Sequence, residues 1–145
     1  MKNIHKITAA DTFVVRHPVL REDKPRESCR FEGDDLATTT HFGLFVDHRL
    51  AGVASVFESS SLQFPEKTQF QLRGMAVLEQ HRKKGFGEDL LRHAETYVKS
   101  LNGEILWFNA RIVAVPFYER CGYKIVGEGF AIGDIGQHFV MFKRL

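Results

Sequence analysis

The chain has 145 residues, 43% of them hydrophobic, which suits a single domain (1–145) with a packed core. Its formal net charge of only +2 disfavours a dedicated nucleic-acid-binding surface. The N-terminus is short, mixed and charged, and no apolar run approaches the roughly 18 residues of a membrane span, so we expect a cytoplasmic protein without a membrane partner.

The first half of the chain predicts a strand, a helix and a hairpin. A short strand is expected over residues 4–7. The apolar spacing of residues 9–20 predicts a helix that Pro18 ends or bends. Alternating apolar residues over 41–47 and 50–58, separated by a short polar turn, indicate a β-hairpin.

Between that helix and the hairpin the chain is polar and irregular. It carries Asp34 and Asp35, which we interpret as solvated loop residues or a helix cap, attraction of a cationic amine being the alternative. The two cysteines, Cys29 in this polar loop and Cys121 near the end of a later helix, show no disulfide framework and no metal-ligand spacing. We therefore expect free thiols, with Cys121 buried, and no metal site.

The second half alternates strands and helices. Residues 69–77 have the alternation of a strand, and apolar residues then recur at helical spacing from Phe86 to Leu101. Pro116 falls early in a predicted helix over 111–121, where its missing N–H is tolerated. The remaining strands are predicted over 105–109, 123–126 and 139–142.

A basic, glycine-containing turn joins the strand at 69–77 to the helix that follows. The first turn of a helix leaves N–H groups unpaired and carries partial positive charge, so it attracts anions. Two glycines let a bulky anion approach the backbone closely. The turn predicts a phosphate or pyrophosphate ligand, and its residues are His81, Arg82, Lys83, Lys84, Gly85, Phe86 and Gly87.

Two motifs in this half resemble the GNAT superfamily of N-acetyltransferases, in its single-domain bacterial form. Arg82, Gly85 and Gly87 fill the pattern Arg/Gln-x-x-Gly-x-Gly/Ala of the family's pyrophosphate loop. Residues 109–123 resemble the second signature: a strand ending in Asn109, a helix carrying Phe-Tyr, and Gly-Tyr before the next strand. The two motifs are in register, and the resemblance covers residues 70–126.

The resemblance implies an α+β fold. Its sheet is twisted, mostly antiparallel and six- or seven-stranded, with about four flanking helices. The sheet splays between its fourth and fifth strands, which here are 69–77 and 104–109, and the cofactor lies in that cleft.

The resemblance also implies acetyl-CoA as donor and a primary amine, on a small molecule or a peptide, as acceptor. The pyrophosphate is expected on backbone N–H groups from Arg82 to Glu88, with the side chains of Glu88 and Asp89 pointing away. The pantetheine arm is expected to pair with main-chain groups near Met75 and Val77. An N–H near Ala76 or Val77 would polarise the thioester carbonyl, and loss of such a donor costs roughly 3–4 kcal/mol of barrier.

Tyr118 matches the motif tyrosine and is the candidate general acid that protonates the departing thiolate; a core tyrosine is the alternative. Asn109 either contacts the pantetheine or forms a turn. The candidate general bases are Glu58, Glu128, His41 and His138. His138 is preferred because it starts the final strand and imidazole titrates near neutral pH, although a histidine there is often structural.

A different class of function also fits: a non-catalytic domain that senses acetyl-CoA or another acyl-CoA. A generic nucleotide-phosphate domain is a more distant alternative. The acceptor-binding segments, about 16–40 and 127–137, match no recognised signature, so the identity of the amine stays open. The resemblance is also compatible with a homodimer.

Overall fold

The computed structural model describes residues 1–133 and 135–145. Its strands are β1 (Lys2–Ile7), β2 (Thr40–Val46), β3 (Arg49–Glu58), β4 (Gln69–Val77), β5 (Ile105–Arg111), β6 (Lys124–Ile132) and β7 (Gly136–Arg144). The α-helices in these residues are α1 (Phe13–Leu20), α2 (Phe86–Ser100) and α3 (Val115–Arg120). In the described part of the chain, no helix is both long and apolar enough to cross a membrane.

The strands form one seven-stranded sheet in the order β1-β2-β3-β4-β5-β7-β6. Every pairing is antiparallel except that of β4 with β5, which is parallel. This confirms the expected mixed α+β fold with a mostly antiparallel sheet.

Helices cover the two faces of the sheet unequally. On the first face, α2 buries Leu90, Leu91, Ala94 and Val98 completely, as their helical spacing predicts. α3 packs on the same face through Val115. On the second face, α1 packs against β3 and β4 in a smaller cluster. We call these the α2 face and the α1 face.

The helix boundaries differ from the prediction in three places. Residues 10–12 form a 3₁₀ turn before α1, and Pro18 lies inside α1, which continues to Leu20. β5 extends to Arg111, and another 3₁₀ turn precedes α3, so the last helix is shorter than expected. Three α-helices therefore flank the described sheet, where about four were expected. Pro116 lies in the first turn of α3, as predicted.

The sheet opens between β4 and β5. Their register pairs run only from Gln69 with Ile105 to Gln71 with Trp107, and the strands separate beyond that point. A β-bulge at Gly74 adds to the distortion of the sheet. Ser55 of β3 pairs with Arg73 and Val53 pairs with Ala76, so β4 has one more residue than β3 between these two pairs. The expected splay between the fourth and fifth strands is confirmed.

Gly74 is required at the bulge by both its backbone and its surroundings. Its φ is +64°, and an added Cβ would lie 2.9 Å from a ring carbon of Phe31 and 3.1 Å from Arg16 Nε. A side chain at this position would therefore push Phe31 away from the strand.

A buried ion pair holds the polar segment between α1 and β2 to the sheet. Arg16 Nη1 donates to Asp34 Oδ2 at 2.6 Å, and both side chains are fully inaccessible. Asp34 is thus neither a solvated loop residue nor a helix cap, because it neutralises an arginine that the apolar neighbours of α1 bury. Asp35 is exposed and pairs with Arg30.

The cysteines are free, as expected, but Cys29 is not in a solvated loop. It is fully buried, and its carbonyl oxygen accepts from Arg16 Nη1 at 2.8 Å. The segment around Cys29 is polar in sequence, yet it folds over the buried guanidinium. Cys121 is buried, as predicted.

Candidate active site

The turn between β4 and α2 has the backbone geometry of an anion site. Gly85 precedes α2 with φ +81° and Lys83 has φ +63°, so the chain turns sharply to place the first helical N–H groups at the surface. A cavity of about 390 Å³ opens there. Its lining includes Val77, Arg82, Lys83, Gly85, Phe86, Gly87 and Glu88, together with Phe117 and Arg120 from α3.

The charges around this cavity are arranged for an anion. Glu88 is 3.6 Å from Arg92, and Asp89 is 2.6 Å from Lys2, so neighbouring cations compensate the acidic side chains of the first helical turn. Arg120, which the sequence motifs did not single out, adds a cation from α3. Lys84 is exposed and does not line the cavity.

A second cavity, of about 250 Å³, occupies the splay. It is lined by Leu20, Leu72, Arg73, Gly74, Met75, Phe108, Asn109, Ala110, Arg111, Ala114, Tyr118 and His138. The two cavities adjoin, since a Cβ built on Gly87 would lie 3.7 Å from Phe117 and 4.0 Å from Met75. The glycine turn and Met75 thus lie next to each other, and Met75 shares the splay cavity with Asn109, Tyr118 and His138. We call the two neighbouring cavities together the cleft.

Main-chain groups of β4 are available along this cleft. The N–H of Leu78 donates to Ala51 of β3 at 2.8 Å. Because hydrogen-bonding direction alternates along a strand, Met75 and Val77 present theirs to the opposite edge, towards the splay. Arg82 Nε donates to the Val77 carbonyl at 3.2 Å, which agrees with that direction. By the same alternation, the N–H and C=O groups of Ala76 point towards β3. The side chain of Ala76 is buried under α1.

Tyr118 lines the splay cavity. Its ring packs against Phe108 with centroids 4.3 Å apart. Burial raises the pKa of Tyr118 to about 12, so the hydroxyl keeps its proton at neutral pH. Among the residues that the structure describes, it has no hydrogen-bond partner. It is therefore free to donate to a ligand.

A polar network fixes the helix that carries Tyr118. Arg92 and Lys143 both donate to the carbonyl oxygen of Cys121, at 3.1 and 3.2 Å, just beyond the end of α3. Glu95, which is buried, accepts from the Tyr123 hydroxyl at 2.7 Å and pairs with both cations. Burial, followed by this bond to Glu95, raises the pKa of Tyr123. Tyr123 is thus a structural tyrosine.

His138 lines the splay cavity and has one ring nitrogen engaged. Its Nδ1 lies 2.9 Å from the Gly136 carbonyl oxygen, so Nδ1 carries a proton and Nε2 retains its lone pair in the neutral ring. The side chain is buried, and Arg111 is its register partner on β5. Directly opposed residues share a face, so His138, Arg111 and Asn109 all lie on the α1 face.

The other candidate bases lie elsewhere. His41 is buried with both ring nitrogens engaged, by Ser55 Oγ at 2.6 Å and by the Asp34 carbonyl at 2.9 Å, so its role is structural. Glu58 and Glu128 are exposed and do not line the splay cavity. Within residues 1–133 and 135–145, no group of three or more His, Cys, Asp or Glu residues is placed to hold a metal ion.

Sequence reasoning missed a set of residues on the α1 face. A third cavity, of about 210 Å³, adjoins the splay and is lined by Arg21, Phe31, Gln71, Arg73, Asn109, Arg111 and His138, among others. Strand alternation already places Gln71 with Arg73, and Asn109 with Arg111, on common faces. Only the pairing of β4 with β5 shows that these four residues all lie on the same face of the sheet.

Comparisons with known proteins identify the class. A model of the Acetyltransferase (GNAT) family matches residues 2–123. A protein of Bacillus subtilis (strain 168), named "Uncharacterized N-acetyltransferase YitI", is 35% identical over 145 residues, or 100% of this chain and 97% of that protein.

Solved structures share the fold. A putative N-acetyltransferase from Lactobacillus plantarum superimposes with a TM-score of 0.80 at 18% identity, over 99% of this chain and 98% of the other. An aminoglycoside 6'-N-acetyltransferase complexed with coenzyme A gives 0.78 at 17% identity, over 98% and 96%. The protein is an acyl-CoA-dependent acyltransferase of the N-acetyltransferase type. It belongs to the GNAT acetyltransferase family.

Proposed function

We propose that the protein transfers the acetyl group of acetyl-CoA directly to a primary amine within the β4–β5 splay. The observation that carries the proposal is the position of Tyr118. Its protonated hydroxyl, without a partner among the described residues, lies in a cavity that adjoins a glycine turn suited to phosphates.

The chain's own groups fit such a donor. The pyrophosphate would lie on the N–H groups at the start of α2, beside Arg82, Lys83 and Arg120. The peptide-like pantetheine would pair with the edge of β4 at Met75 and at the Val77 carbonyl oxygen, which accepts from Arg82 Nε in this structure. The bound acetyl-CoA supplies an activated thioester. Asn109 lies beside this path in the splay.

Each catalytic role falls to a group with suitable geometry. The N–H of Val77 would donate to the thioester oxygen, which carries negative charge as the reaction proceeds. Tyr118 would donate its proton to the departing sulfur. His138 Nε2 would accept a proton from the amine, because Nδ1 is already fixed as the donor to Gly136.

A matched pair of variants tests the proposal. Tyr118→Phe removes the proposed acid. Tyr97→Phe removes a hydroxyl of α2 that lies 2.8 Å from Thr40 Oγ1 and lines neither cavity. Release of the coenzyme A thiol is measured over a panel of amines, and acetyl-CoA binding is measured by calorimetry.

We expect Tyr118→Phe to bind acetyl-CoA with unchanged affinity and to lose about 10²–10⁴-fold in kcat, the usual contribution of a general acid. Tyr97→Phe should keep its rate. An undiminished rate in Tyr118→Phe would remove the proposed acid. Saturable acetyl-CoA binding with no turnover of any amine would support the binding-only sensor instead.

A further inference from the structure

Three arginines converge on the α1-face side of the splay. Arg73 comes from β4, Arg111 from β5, and Arg21 follows the end of α1. All three line the third cavity, together with Phe31 and His138. The chain as a whole has a net charge of only +2, so this local concentration of positive charge does not reflect a generally basic protein.

Aromatic rings, rather than acids, contact two of the three arginines, Arg73 and Arg21, whereas Arg111 is exposed. The Arg73 guanidinium lies 4.9 Å from the Phe31 ring centroid and 5.2 Å from that of Phe57. Arg21 lies 5.8 Å from the Phe31 centroid. Such stacking orients the planar group and leaves its N–H edge available.

None of the three has a carboxylate within 4 Å in the described part of the chain. Arg16 nearby is different, since Asp34 pairs with it. Arg73 donates only a long bond of 3.4 Å, to the Glu32 carbonyl. The pKa of Arg73 is lowered, mainly because the guanidinium is buried. The nearby charge of Arg16 lowers it further, whereas the charges of Asp34 and Glu32 raise it. Its positive charge is therefore incompletely solvated and incompletely paired.

Among residues 1–133 and 135–145, the rest of the lining adds no negative charge. The described residues around the splay cavity and the third cavity include no Asp or Glu. Glu32 and Glu58 line a neighbouring groove, which shares Gln71 and Arg73 with the third cavity but does not include Arg111 or His138. A cationic ligand entering the third cavity would meet like charges, whereas an anion would gain charge-assisted hydrogen bonds.

We propose that the amine acceptor carries an anionic group, a carboxylate or a phosphate, which Arg73 and Arg111 bind while the amine faces His138. This inference rests on the proposed acetyl transfer. The splay cavity and the third cavity, of about 250 and 210 Å³, share Arg73, Arg111 and His138 in their linings. Together they offer a volume in the lower part of the roughly 300–1,000 Å³ of typical ligand pockets, which suits a small acceptor. Amino acids and phosphorylated amines have this chemistry, whereas polycationic amines do not.

Substrate pairs that differ only in the anionic group test the inference. Alanine, leucine and glutamate are compared with their α-amides, and phosphoethanolamine with ethanolamine; spermidine is the cationic control. We expect kcat/KM for the better anionic class to exceed that of its neutral partner by about 10-fold to 100-fold. The anionic class with the higher kcat/KM, the amino acids or phosphoethanolamine, shows whether the site binds a carboxylate or a phosphate. Equal or better use of the amides, ethanolamine or spermidine overturns the inference.

Variants assign the preference to residues. Arg73→Gln and Arg111→Gln should each reduce the ratio of acid to amide kcat/KM towards one. Arg111 is exposed, so its variant remains informative if Arg73→Gln folds poorly. Arg30→Gln, which alters an exposed arginine paired with Asp35, is the control and should keep the ratio. Equal losses for acid and amide in both cavity variants would show a merely structural role and refute the assignment.

A binding measurement separates this inference from the proposed function. Calorimetry with N-acetylated amino acids, N-acetylated amino amides and N-acetylphosphoethanolamine requires no turnover. If acetyl-CoA binds but no amine releases coenzyme A, acetyl transfer fails as the function. The anion site then stands only if the anionic compounds bind more tightly than the amides and lose that advantage in Arg111→Gln. If they have no advantage, the inference falls whatever the kinetics show.

Discussion

Replacement of Asp34 by alanine tests whether the buried ion pair holds the segment over the third cavity. The Asp34 carboxylate accepts from Arg16 Nη1 at 2.6 Å, from Arg16 Nη2 at 3.2 Å and from the Phe31 N–H at 2.8 Å. Removing it leaves a guanidinium with no solvent exposure and no counter-charge in direct contact. Breaking a buried pair in this way costs about 3–5 kcal/mol.

Asp35→Ala is a matched control one residue away. Its carboxylate is 71% exposed and pairs with Arg30 at the surface, where such pairs contribute at most about 1 kcal/mol. For a chain of this size, 1 kcal/mol shifts the melting temperature by roughly 2–4 °C. We therefore expect Asp34→Ala to melt roughly 6–20 °C below the wild type, and Asp35→Ala less than about 4 °C below it.

The assay is thermal unfolding followed by circular dichroism, with urea titration to obtain the free energy of unfolding. If the unpaired charge causes the loss, Arg16→Met in the Asp34→Ala background should recover a large part of it, because no buried charge remains. Equal melting temperatures for the Asp34 and Asp35 variants would refute the reasoning. Failure of the double variant to recover would assign the loss to the Phe31 turn instead.

Three further predictions concern the cleft. Glu88→Ala should leave acetyl-CoA affinity unchanged or slightly higher by calorimetry, since the carboxylate is engaged by Arg92; a large loss would contradict this. Gly87→Leu should weaken acetyl-CoA binding at least 10-fold with little change in melting temperature, because its side chain would enter the space beside Phe117; unchanged affinity would place the ligand elsewhere. The pKa of Tyr118 is raised to about 12 from an ordinary value of 10. The protonated Tyr118 side chain thus contributes to the free energy of unfolding below pH 10, and this contribution is lost as the pH rises towards 12. Between pH 10 and 12, the melting temperature of Tyr118→Phe should therefore fall less than that of the wild type.

Local sequence was sufficient where one element carries the whole signal. The apolar spacing from Phe86 to Val98 predicted α2, and the alternation of residues 69–77 predicted β4, because each pattern reflects a face that must be buried. The glycine turn and the Phe117-Tyr118 pair indicated the family and, through it, the splayed sheet. Each of these signals lies within a short run of the chain.

Local sequence was misleading where burial depends on distant partners. Cys29 and Asp34 sit in a charged, irregular stretch that reads as solvated, yet both are buried. The cause is Arg16 on α1, which is buried against β3 and β4. Its guanidinium donates to Asp34 and to the Cys29 carbonyl oxygen, so the polar segment packs against it. Nothing in the spacing of these residues shows that they meet.

The sequence by itself determined the order of elements, the glycine turn proposed to bind phosphate and the tyrosine proposed as acid, since each is encoded within a short run of chain. Only the tertiary structure decided which arginines share a cavity. Arg73 and Arg111 are distant in sequence, and they come together because β4 pairs with β5 in parallel and then diverges from it. That pairing sets both arginines on the α1 face beside His138, so the charge that we propose to bind the acceptor arises from sheet topology.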